Sequence, residues 1–226
     1  MNLYSLVEGK RTEKKVYPAW LAHLIPQLRR VDDPSELDDQ CGYFIFSGEG
    51  YPSLLDVHLS AAIADYHAAR KFNRLVICLD VDDSTPADRS QEVFKRAAAL
   101  GFPTDQLRVI TQECCIETWF LGNRKAVSPT PNRSELVDFL RFYNVRRDDP
   151  EAMGIHAEFN ARSIFHSQYF HLVSQDKRFR YTKHNPKHVV DKAFLEELIV
   201  RRQDTNHLPT FGTFLDLCEE VIRHCP

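Results

Sequence analysis

Leu75-Val76-Ile77-Cys78-Leu79-Asp80-Val81-Asp82-Asp83 is an unbroken apolar run that ends in acid. A short run that is apolar at every position predicts a strand buried on both faces, as in the middle of a parallel sheet. Near the start of the chain, Leu3-Tyr4-Ser5-Leu6-Val7-Glu8-Gly9-Lys10 has the same form, with a single glutamate and a glycine after the apolar residues. Two neighbouring strands of this kind would bring several carboxylates to one sheet edge. Such a cluster repels itself unless a cation sits in it.

The segments between and beyond these runs alternate helix and strand. Val16, Trp20, Leu21, Leu24, Ile25 and Leu28 predict a helix over 13–30, with Thr12 as cap and Glu13 favourable to its dipole. Residues 42–46 predict a strand, and Ser47-Gly48-Glu49-Gly50-Tyr51-Pro52 has turn chemistry. Leu54, Leu55, Leu59, Ala62, Ile63 and Tyr66 mark a second helix. Val93, Ala97 and Leu100 mark a third, with Gly101 at its C-cap position. Residues 107–110 predict a fourth strand.

Strands separated by helices imply crossovers and a parallel sheet. The expected fold class is therefore α/β, a βαβαβαβ core over residues 1–125 with a mostly helical extension over 126–226. Beyond residue 112 the pattern changes: a short helix is expected at 117–121, still within the core, and in the extension a loop at 128–132 and helices at 134–143, 158–169, 187–202 and 211–224. The last presents Phe211, Phe214, Leu215, Cys218, Val221 and Ile222 on one face. In parallel α/β sheets, ligands bind outside the carboxyl ends of the strands. Glu8 and Asp80 fall at those ends.

The 226 residues are 43% hydrophobic and 27% charged, enough to bury a core. The net charge of −3 announces no global basic field, so a nucleic-acid partner would need a local basic surface. No apolar run reaches the roughly 20 residues of a membrane span, and Glu8 and Lys10 interrupt any leader-like segment. A cytoplasmic protein without membrane contact is expected. None of the six cysteines forms a Cys-x-x-Cys pair. They are expected to be reduced and mostly packing residues, with Cys78 in the core.

Asp80 and Asp82 share the parity of a strand end and suit a magnesium (or manganese) ion, which prefers carboxylates and water. Glu8 could bind metal, act as general base or orient a water. The competing reading is that acids at strand ends cap the following helices, above all for Asp83. Asp176-Lys177-Arg178-Phe179-Arg180-Tyr181-Thr182-Lys183-His184-Asn185-Pro186-Lys187-His188 is the most basic segment. Its cations suit phosphates and its rings suit stacking on bases. Arg178, Arg180, Tyr181, Lys183 and Lys187, with Lys10, are the expected nucleic-acid contacts. The alternative is a solvated loop leading to a helix near Pro186. His184 and His188 have zinc spacing but no third ligand, and His156, His166 and His171 are expected at the surface. No Walker motif is present, so any step driven by a nucleoside triphosphate would need a partner.

Val7-Glu8-Gly9-Lys10-Arg11-Thr12-Glu13 and Leu79-Asp80-Val81-Asp82 together resemble the Toprim family, the catalytic domain of topoisomerases, bacterial primases and OLD-type nucleases. That fold has a glutamate after its first strand and Asp-x-Asp after its third. The chain is most similar to small stand-alone Toprim proteins found beside ATPases in bacterial defence loci, the RloB-like group and the Toprim subunit of PARIS systems. Cys115-Ile116-Glu117-Thr118-Trp119 matches a further segment of that group. Glu8-Gly9-Lys10-Arg11-Thr12-Glu13 carries one residue more than its usual start. The resemblance implies a magnesium-dependent nuclease of DNA or RNA, a partner ATPase and a role in antiviral defence. It implies Glu8 as acid/base and metal ligand, Asp80, Asp82 and Glu117 as metal ligands, and a downstream catalytic lysine for which Lys183, or else Lys187, is the candidate. A homodimer is compatible with it. The competing function is a catalytically silent Toprim-like scaffold for such an ATPase. Trp119-Phe120-Leu121 reads independently as core.

Overall fold

In the computed structural model, residues 1–38 and 40–225 are described. Strand β1 (Asn2–Val7) leads through helix α1 (Glu13–Leu24) to a short β2 (Arg29–Val31) and then β3 (Gly42–Ser47). A π-helical turn at Leu54–His58 runs into α2 (Leu59–Ala69), followed by β4 (Arg74–Asp80), α3 (Pro86–Ala99) and β5 (Leu107–Gln112). The five strands form one parallel sheet in the order β2-β3-β1-β4-β5, so the fold is α/β as expected. Val7 stands opposite Ser47 on one side and Cys78 on the other.

Contacts divide the chain into two units. The first comprises Met1–Leu79, Pro86–Thr111 and Thr213–Pro226; the second comprises Asp80–Thr85 and Gln112–Gly212. The contact units are drawn differently from the expected division at residue 125, and Asp80–Thr85 groups with the second unit. Residues 112–125 group with the second unit, and the last helix from Thr213 groups with the sheet.

In the first unit every residue of β1 is buried, as a central parallel strand requires. One face of the sheet packs Tyr4, Leu6, Leu75, Ile77 and Leu79 against Leu59, Ile63 and Tyr66 of α2 and Val93 and Ala97 of α3. On the other face, Leu3, Val7, Val76 and Cys78 meet Tyr17 and Leu21 of α1 and Phe214 and Leu217 of the last helix around a cavity of about 20 Å³. Connections change face because the chain first crosses from β1 to the edge strand β2, steps back to β3, and then passes β1 to reach β4 and β5. Right-handed crossovers in opposite directions place helices on opposite faces.

Several expectations are corrected here. α1 stops at Leu24 rather than residue 30, because Ile25 precedes Pro26 and leaves the helical region at φ −137°, ψ 70°. Residues 29–31 are instead the edge strand β2. Thr12 makes no side-chain cap; its carbonyl accepts from the amides of Lys15 and Val16. Cys41 and Cys225 form a disulfide across 184 residues of sequence, against the expectation of reduced thiols. Spacing alone gave no sign that the start of β3 and the end of the chain meet.

The second unit contains α4 (Ile116–Phe120), α5 (Ser134–Phe142), α6 (Arg162–Asp176), α7 (Lys192–Thr205) and the first turn of α8 (Pro209–His224). Its core is aromatic: Trp119, Phe120, Phe139, Phe165, Tyr169 and Phe170 are all fully buried. Arg201 is equally buried and is satisfied by the carbonyls of Gly122, Val145 and Asp148 at 2.7–3.0 Å. Among the described residues, no helix is long and apolar enough to cross a membrane.

Candidate active site

Glu8 is the first residue beyond β1, and its backbone extends the ladder by donating to the Cys78 carbonyl at 2.9 Å. A loop after β3 wraps around it. The Gly48 amide donates to the Val7 carbonyl, the Gly50 amide to the Glu8 carbonyl, and the Tyr51 amide to Glu8 Oε1 at 3.2 Å. The loop needs its glycines. A Cβ at Gly48 would come within 2.6–2.9 Å of Leu54, including its backbone, and Gly50 sits at φ +97°. Ser47–Tyr51 is thus a cradle for a glutamate rather than a bare turn. The Arg89 guanidinium stacks 3.9 Å above the Tyr51 ring and pairs with Glu92 at 2.9 Å, while the Tyr51 hydroxyl donates to the same Glu92. Sequence reasoning missed Tyr51 and Arg89; the Gly-x-Gly flanking an aromatic was the available signal. Lys10, an expected nucleic-acid contact, forms an exposed pair with Glu49 of this loop at 3.3 Å.

In the second unit, Asp80 ends β4 and is partly buried. The parity argument for Asp82 fails, because the strand stops at Asp80 and Asp82 lies in the left-handed region at φ +50°. A turn and its hydrogen bonds position Asp82 instead. The Val81 amide donates to Gln112, the Asp82 amide to Cys114, and the Ser84 amide back to Val81. Arg162, at the start of α6, donates through Nη2 to the Asp82 carbonyl at 2.7 Å and to Glu113 Oε1 at 2.9 Å. Both backbone groups of Asp82 are therefore occupied, which fixes where its carboxylate starts from. Asp83 is exposed.

Glu117 is buried in α4 and accepts a 2.8 Å hydrogen bond from the Tyr181 hydroxyl. The stacking role expected of Tyr181 is overturned by its packing. It is 6% exposed, and its ring meets Phe120 and Phe170, so no face is open to a base. Around it, Arg178, Arg180, Lys183 and Lys187 remain exposed, and Thr182 bridges to Asn185 in a tight turn. The helix expected from Pro186 begins only at Lys192.

Cys114 and Cys115 are free and buried. A hydrogen bond shared between the two thiols draws Cys114 down, reinforced by His166 and Arg162. The same bond, burial and the charge of Glu117 push Cys115 up. His166 is not at the surface. It is fully buried, and because the Met153 carbonyl only accepts, Nε2 carries the proton and Nδ1 accepts from the Thr118 hydroxyl. Trp119 is core, its indole N–H donating to Thr210 Oγ1 at 2.8 Å.

Among the described residues, no group of three or more His, Cys, Asp or Glu side chains stands close enough to hold a metal ion. The acids therefore form no closed cage. Magnesium does not require one, since it commonly keeps its waters and is bound by one or two carboxylates together with substrate phosphates. The hard oxygens of Asp80 and Asp82 fit that description. Comparison with known proteins finds no matching family model, no similar curated protein and no similar solved structure.

Proposed function

We propose that this chain is a divalent-metal-dependent nuclease of Toprim type. One observation carries the reading. The two strands that end in acid are direct neighbours in the sheet, and the switch point of the winding lies between them. Open α/β sheets bind their ligands at that point, outside the carboxyl ends. In this reading Asp80 and Asp82 hold magnesium or manganese. The bound ion supplies charge stabilisation to the phosphodiester and makes a water more acidic. Glu8, its carboxylate oriented by the Tyr51 amide, takes the proton from the attacking water. Lys183, with Arg178, Arg180 and Lys187, holds the phosphate backbone through exposed cations. An ATPase partner would supply any step driven by a nucleoside triphosphate.

The test is cleavage of tRNA, single-stranded DNA and duplex DNA in magnesium or manganese. Wild type cuts at least one substrate; Glu8→Ala and Asp80→Ala abolish cutting at unchanged melting temperature. Cleavage that persists in either folded variant refutes the assignment. Unchanged biological output in Glu8→Ala would instead favour a scaffold.

A further inference from the structure

We propose that the second unit carries a separate binding groove for a phosphate monoester, built around Arg146. The groove encloses about 260 Å³ beside α5. Pro129, Pro131, Val137 and Leu140 give it an apolar wall, and among the described residues no Asp or Glu lines it. Its polar groups are donors. Arg146 is the central one: its Nε is buried and meets no acceptor, and no ion pair reaches the side chain among the described residues. A guanidinium stripped of water on one edge without a counter-ion is unfavourable, and an incoming oxyanion offsets that cost.

The surroundings extend the donor set. The Arg146 amide occupies Asn144 Oδ1 at 3.1 Å, which leaves the Asn144 NH₂ as the group to offer a ligand. Ser128 Oγ accepts from the Thr130 amide at 3.4 Å, so its hydroxyl proton remains to be given. Arg141 pairs with Asp138 at 3.1 Å, but both side chains are more than 60% exposed, and such a pair exchanges readily for a better partner. Two guanidiniums, an amide and a hydroxyl exceed what one carboxylate accepts. They match the three terminal oxygens and near-double charge of a phosphate monoester. The apolar wall suits the organic body that carries it. The volume is at the low end for a small-molecule site, so the ligand is a nucleotide-sized molecule or the phosphorylated end of a strand.

The proposal does not depend on the acids after β1 and β4, and it is tested without metal. The full chain in EDTA is titrated calorimetrically with AMP, with a short 5′-phosphorylated oligonucleotide, and with the same oligonucleotide bearing a 5′-hydroxyl. AMP or the phosphorylated strand binds saturably, and which one binds identifies the source. Arg146→Gln weakens binding about tenfold or more, and Arg146→Lys recovers part of it. Arg141→Gln, at an exposed position, serves as a second reporter should the Arg146 variants fail to fold. Absence of saturable binding by both phosphate probes, equal binding of the 5′-hydroxyl strand, or affinity untouched in the folded variants overturns the proposal.

Discussion

The disulfide between Cys41 and Cys225 makes a quantitative prediction. It closes a loop across 184 residues, nearly the whole chain. In the unfolded state such a crosslink removes loop entropy that grows with the logarithm of loop length. For this separation the chain-entropy relation gives about 5 kcal/mol at 25 °C. At this chain length that corresponds to a fall in melting temperature of about 10–20 °C on reduction. The native fold should survive it. The last helix is also held by Glu220, which pairs with Arg74 at 2.7 Å and with Arg108 at 2.9 Å, and by Phe214 against Tyr17 and Trp20.

The assay compares oxidised protein, protein in dithiothreitol and Cys41→Ser by circular dichroism and urea unfolding. Titration of thiols in denaturant without reductant should find the four free cysteines, Cys78, Cys114, Cys115 and Cys218. Reduction should lower the unfolding midpoint, leave the native spectrum unchanged and raise the denaturant slope, because the released unfolded chain exposes more surface. Six titratable thiols in the oxidised sample, or equal midpoints, would refute the reasoning. A loss of stability with an altered native spectrum would locate the effect in the folded state instead.

Two further outcomes are expected. Arg162→Lys keeps the charge, but its ammonium stops one bond short of the position from which Nη2 donates to both the Asp82 carbonyl and Glu113 Oε1. Manganese affinity, read by electron paramagnetic resonance, should fall about tenfold with little change in melting temperature, as for other groups that orient metal ligands; an affinity equal to wild type sinks the positioning role. Glu151 is buried, and burial, opposed by hydrogen bonds from Thr210 and Phe211, pushes its carboxyl from 4.5 up to about 7. Its contribution to stability is therefore fully present below about 4.5 and is lost as pH rises through about 7. The gap of about 2.5 pH units, at about 1.4 kcal/mol each, is worth about 3.5 kcal/mol. Glu151→Gln should flatten that part of the stability-pH curve, and an unchanged slope would assign it to other groups.

The strands were legible because their apolar runs are dense and their ends are marked by acid or glycine. β2 was not, since two of its three residues, Arg29 and Arg30, are exposed cations that resemble the end of a helix. α6 and α7 begin later than expected, at Arg162 and Lys192, because apolar periodicity says little about where a cap falls. At the candidate site, the strand-end positions of Glu8 and Asp80 were legible from the apolar runs that precede them. What holds them could not. Arg162 lies eighty positions from Asp82 along the chain, and the Tyr51 amide that meets Glu8 is a backbone group with no signature of its own. Tyr181 misled because its basic neighbours are exposed, while its ring is turned into the core toward Glu117.

The backbone adds an argument that side-chain identity does not. Glu49 and Gly50 follow β3, Asp82 follows β4 and Cys114 follows β5, and all four have positive φ, from +50° to +97°. At Cys114 the strain is sharpened by a tight turn that closes from the Cys115 amide to the Glu113 carbonyl at 2.9 Å. Non-glycine residues in this region cost on the order of 1 kcal/mol or more each, and such strain persists only where surrounding contacts over-determine it. Here the contacts are identifiable: the loop after β3 is closed onto Glu8, and the turn after β4 is tied to Cys114 and Arg162. The first turn of α3 begins four residues after Asp82, at Pro86. Three of the seven non-glycine residues with positive φ among the described residues, Glu49, Asp82 and Cys114, stand at the carboxyl ends of strands, where a parallel sheet meets its ligand, and the other four, Arg70, Arg178, Asn206 and Leu208, lie elsewhere.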